Sequence, residues 1–269
     1  MPFFWLSQLK KDFLVDFSYK ISFFGQFLGI FLTVISFFFI SEIFIGSQSI
    51  HLEQFNNDYF IFATLGIAIL DMVITIMRTL TTSLREAQSF GYVEMFFISR
   101  INSSYLFLCC SIYPFIKGSI RFIAYILLVQ LASDYTFWTS SVLIAFFLLL
   151  LMIIPFLALS FLALSFVLYF KQADPINFII NILISVFSGI MYPVSVLPGF
   201  MQSISNLIPL TSQLNSVRHV LINNSLDEYM FSNIFFMHIF FSIVSLCVCL
   251  VIFQISVRLV KKRGTIGTY

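Results

Sequence analysis

Apolar residues along this chain gather into blocks instead of alternating with polar ones. Six blocks stand out, at roughly 21–45, 59–82, 105–131, 141–170, 176–192 and 234–257. A hydrocarbon core of about 30 Å needs about 20 apolar residues per helix, so each block predicts a membrane-spanning helix. Helices follow because lipid offers no partner to a free backbone N–H or C=O. The pattern predicts an all-α polytopic membrane protein with a single transmembrane domain over residues 1–269.

Three stretches between the blocks break the pattern. In residues 1–20, Trp5, Leu9, Phe13 and Phe17 recur every four residues, while Lys10, Lys11, Asp12 and Asp16 are charged. That periodicity predicts an amphipathic helix lying in the membrane interface. Residues 84–102 mix Arg85, Glu86, Glu94 and Arg100 with Tyr92, Val93, Met95, Phe96, Phe97 and Ile98. Two readings fit them: an interfacial helix resting on lipid, or a helix that docks into another protein. Residues 193–230 begin as an apolar stretch broken by Pro193, Pro198 and Pro209. They predict two short helices, either re-entrant into the outer leaflet or lying on its surface. Pro193 is expected to end the fifth span, Pro198 to start the first short helix and Pro209 to separate the two.

Charge orients the spans. Lys10, Lys11, Lys20, Arg78, Arg85, Arg100, Lys171, Arg258, Lys261, Lys262 and Arg263 fall on one side when the six spans are threaded back and forth. By the positive-inside rule that side is the cytoplasm, and both termini lie there. Arg218 is the one basic residue in the connections on the other side.

Three ionisable residues lie within the spans: Asp71, Lys117 and Arg121. Lys117 and Arg121 are four apart, so they share a helix face. A charge at the centre of a spanning helix costs about 2.5–3.5 kcal/mol and normally faces a partner or an aqueous cavity. Asp71 is expected to pair with Arg121 or Lys117. Two readings remain: the surplus cation lines a substrate path and favours anionic groups, or the three form an ion-paired core.

Composition narrows the function classes. Of 269 residues, 60% are hydrophobic, 10% are charged and 37 are Phe. A soluble domain carries about 25% charged residues. The net charge of +2 gives no reason to expect a nucleic-acid partner. The first residues lack the charged, apolar and small-residue order of a cleavable leader. Cys109, Cys110, Cys247 and Cys249 sit in apolar surroundings without ligand spacing, which predicts packing roles and no metal site. There is no G-x-x-x-x-G-K-[ST] phosphate loop, no G-x-S-x-G and no H-E-x-x-H. No catalytic residue is expected on this chain.

Two stretches together resemble the membrane subunits of type 2 ABC (ATP-binding cassette) exporters. In 188–222 the resemblance rests on Ser188, Gly189, Tyr192, Pro193, Leu197, Pro198, Pro209, Leu210, Thr211 and Arg218. In 84–102 it rests on Arg85, Glu86, Gly91 and Glu94, with Tyr92-Val93 where Thr-Leu is usual. The resemblance implies a half-transporter in a bacterial cytoplasmic membrane. Its implied partners are a second permease copy or sibling, membrane lipid and separate ATPase subunits, which alone would bind ATP and Mg. It implies that 84–102, through Arg85, Glu86, Gly91, Tyr92, Val93 and Glu94, is the coupling helix. The outer position and broken backbone of 188–209 predict an outer gate at Ser188, Gly189, Tyr192, Pro193, Pro198 and Pro209, with Ser188 and Gly189 allowing close helix approach. The cargo would be a drug, a lipid or a lipid-linked glycan. An ion-coupled secondary transporter and a polytopic membrane enzyme are the alternatives, although no internal repeat and no clustered nucleophile support them.

Overall fold

The computed structural model describes residues 4–43, 58–91, 102–133, 139–223 and 233–263. Among them every regular element is helical. In chain order these are α1 (Phe4–Ser18), α2 (Lys20–Ile43), α3 (Tyr59–Ser89), α4 (Ser103–Cys110), α5 (Ile112–Ala132) and α6 (Thr139–Phe170). They continue as α7 (Asp174–Phe187), α8 (Gly199–Leu207), α9 (Pro209–Asn223) and α10 (Asn233–Arg263), with one 3-10 turn at Val194–Val196.

Five helical stretches are long and apolar enough to cross a bilayer: Phe23–Ile43, Tyr59–Ser89, Ser103–Ala132, Val142–Phe170 and Ile239–Lys262. The fifth predicted span is different. Its helix, α7, has 14 residues, about 21 Å at 1.5 Å per residue, and is shorter than the other five. It stops at Phe187 and not at Pro193, because Gly189 takes φ +67° and turns the chain. Pro193 lies beyond that turn, as the N-cap of the 3-10 turn. Pro198 caps α8, and Pro209 is the first residue of α9.

The third span is broken rather than continuous. Ser111 separates α4 from α5. Three residues on, Pro114 has no N–H to offer the Cys110 carbonyl, which weakens the helical ladder there. The fourth span runs through Pro155 without interruption.

The core sits around α3. Of its apolar window 78% is buried inside the chain, against 11% in α2 and 17% in α10. Hydropathy alone cannot make this distinction, since lipid-facing and protein-facing helices are equally apolar. α6 packs along both α3 and α10. On the α10 side, Phe253 is fully buried between Phe161, at 5.3 Å between ring centroids, and Phe107 of α4, at 5.5 Å. Threonine and serine hydroxyls in α3 bond back to carbonyls three or four residues earlier, as Thr75 does to Asp71 at 2.7 Å. This satisfies them without a partner helix.

Candidate functional site

Two polar arrangements interrupt the apolar interior. The first is a ladder along one face of α5, built from Tyr113, Lys117 and Arg121. Arg121 Nη2 lies 2.6 Å from Asp71 Oδ1 of α3, and its Nη1 is 3.4 Å from Gln26 Oε1 of α2. Lys117 Nζ lies 2.5 Å from Asp16 Oδ2 of α1, and the Tyr113 hydroxyl donates to the same oxygen at 2.6 Å. Two cations therefore meet two carboxylates, so Lys117 and Arg121 each have an acidic partner. The sequence reading missed Asp16 because it treated α1 as a surface element only. The available signal was a carboxylate set between Phe13 and Phe17, one turn before the first span.

The ladder also fixes α1. The helix packs on α2, α4 and α5, while Trp5, Phe13 and Phe17 remain exposed. One face is thus free to rest on lipid while Asp16 reaches inward. Burial raises the Asp12 carboxyl above its ordinary value, and the neighbouring Lys11 ammonium pulls it back.

The second arrangement is a hairpin locked by Arg218 of α9. The Arg218 side chain is completely buried. Its Nη1 donates to Gly189 O at 2.8 Å and its Nη2 to Ile190 O at 2.6 Å. The guanidinium carbon stands 3.6 Å from the centre of the Phe62 ring of α3. Among the described residues no carboxylate pairs with it. The charge is instead balanced by carbonyls just past the negative end of α7 and by the π face of Phe62. Gly66, one turn along α3, makes the space: a Cβ there would collide with Ile190 O and Arg218 Nη2. Phe62 and Gly66 carried no recognisable signal in sequence, being one apolar and one small residue inside an apolar block.

Around the lock, the Tyr192 hydroxyl donates to Val186 O at 2.9 Å, and Ser205 Oγ of α8 donates to Phe187 O. Ser188 is fully buried. The turn and both short helices are therefore tied to the end of α7.

At its other end α3 finishes at Ser89, followed by Phe90 as cap and Gly91 at φ +75°. A left-handed glycine after the cap closes a helix at no steric cost. Arg85 is half-buried, while Glu86 and Gly91 are exposed. Tyr92, Val93 and Glu94 lie outside the described residues. The 31 residues of α3 span about 46 Å, more than a hydrocarbon core of ~30 Å requires.

The family model described as "ABC-2 type transporter" matches residues 9–222. The chain belongs to the ABC-2 type transporter family. It is thus a multi-pass membrane subunit of an ABC transporter, a family that works with an ATP-binding cassette subunit. Comparison with curated proteins gives no match. The matched range takes in most of α1, all of α3 and α9 as far as Ile222, and so both the ladder and Arg218 of this ABC-2 permease.

Proposed function

We propose that this permease is the membrane-spanning half of an ATP-driven exporter in a bacterial cytoplasmic membrane, with both termini in the cytoplasm. A separate ATPase subunit binds ATP and Mg and docks beneath residues 84–102. The family match over 9–222 is the observation that carries this reading. The length of α3, whose residues 84–89 are the first part of that connector, supports it. Two copies, or this chain and a sibling, make the complete path, in keeping with the small buried share of α2 and α10. The turn at Ser188, Gly189, Tyr192 and Pro193 and the helices begun by Pro198 and Pro209 form the outer gate.

The cargo we propose is amphipathic or lipid-like: a drug, a lipid or a lipid-linked glycan. Because the ladder is charge-balanced, Asp71, Lys117 and Arg121 serve to hold α1, α2, α3 and α5 together and not to attract an anionic head group. Family membership favours this reading over an ion-coupled transporter or a membrane enzyme.

The test is affinity purification of the tagged chain from native membranes. The expected outcome is recovery of an ATP-binding cassette ATPase in stoichiometric amount, with hydrolysis stimulated by amphipathic compounds. Reconstituted vesicles should move the stimulating compound away from the ATPase side. Recovery without any ATPase would overturn the reading.

A further inference from the structure

The hairpin and the coupling end lie at opposite ends of one helix. α3 is continuous from Tyr59 to Ser89, and most of its length is buried in the chain. Phe62 and Gly66, which seat Arg218, belong to its first two turns. Arg85 and Glu86 belong to its last two turns. A helix with an unbroken backbone ladder moves as a unit, so displacement at one end is felt at the other.

Arg218 is what attaches the hairpin to that helix. It projects from α9, grips the two carbonyls of the α7 elbow and stacks on α3. Three elements meet on a single guanidinium. Loss of its charge-assisted bonds would leave two elbow carbonyls buried without donors, a costly state that holds the clasp closed. Lysine cannot replace it: one ammonium cannot span two carbonyls and stack flat on a ring.

We infer that Arg218 is a positioning residue that makes α3, the α7 elbow and α9 one rigid body, so that nucleotide-driven movement at 84–102 is delivered to the outer hairpin. The inference rests on the exporter reading and adds to it the route and the residue.

The experiment uses the complete complex, permease with its ATPase, in lipid nanodiscs. The four native cysteines are replaced by serine and a single cysteine is placed at Ser203, which is exposed on α8. Labelling by a charged maleimide is timed without nucleotide and with ATP plus vanadate. In the parent we expect the two rates to differ at least about fivefold. In Arg218→Met we expect ATPase recovery and hydrolysis to persist while the rate difference falls below about twofold, and Arg218→Lys should not restore it. Phe62→Leu keeps apolar bulk and removes only the ring face, so it tests the clasp even if Arg218→Met fails to fold. It should at least halve the difference.

Full nucleotide response in Arg218→Met or in Phe62→Leu would overturn the inference. So would a parent whose labelling ignores nucleotide while its ATPase is bound and active. That last result would leave the exporter reading standing, whereas failure to recover an ATPase would remove both.

Discussion

Gly189 holds φ at +67°, and a Cβ built there would meet Val194 Cγ2 at 2.7 Å. A left-handed backbone costs a non-glycine residue about 1–2 kcal/mol before any collision is counted. Gly189→Ala should therefore lower stability by about 2 kcal/mol, read as an earlier thermal transition in detergent. Gly199→Ala is the matched control, since its position is open and its φ is ordinary; its transition should stay in place or rise slightly. At this scale the sequence was partly legible. Pro193 signals an end to the fifth apolar block, but it is Gly189, four residues earlier, that turns the chain after α7. Depth along two antiparallel helices narrows the partner of Asp71 to Arg121 or Lys117, and the structure selects Arg121. Asp16 could not be placed in this way, because its approach to Lys117 depends on how α1 folds back against the bundle.

Between elements, the closest seat in the ladder region is Gly118 of α5 against Met72 of α3, where a Cβ would come 2.7 Å from Met72 Cγ. Met72 is fully buried and cannot move freely. Overpacking of this kind costs about 1–3 kcal/mol. Gly118→Ala should destabilise by that order, while Met72→Ala in the same chain should return part of the loss. A double-mutant cycle on unfolding in detergent should give a coupling of at least about 1 kcal/mol, and additive effects would count against the close seat. Hydropathy supplied most spans because crossing lipid demands a length of apolar chain whatever it packs on. It overestimated α7, since an apolar run continues past the point where the helix stops. It also missed the break at Ser111, because one absent N–H at Pro114 leaves mean hydropathy unchanged.

Across the whole molecule, the ladder has a consequence for how the chain enters the bilayer. Lys117 and Arg121 each burden the third span with about 2.5–3.5 kcal/mol if it enters lipid alone. Their counter-charges, Asp16 and Asp71, belong to segments synthesised earlier, on α1 and α3. By the time the third span leaves the translocation channel, both carboxylates are already at the membrane to receive it. Biogenesis would thus depend on order: the early segments serve as an internal acceptor for a later one that inserts poorly by itself. An Asp16→Asn, Asp71→Asn chain truncated after residue 140 and fused to a topology reporter should place the reporter on the wrong side several-fold more often than the parent. Lys117→Met and Arg121→Met added to it should restore the normal side. Unchanged topology in the aspartate variant would show that the span needs no such reception.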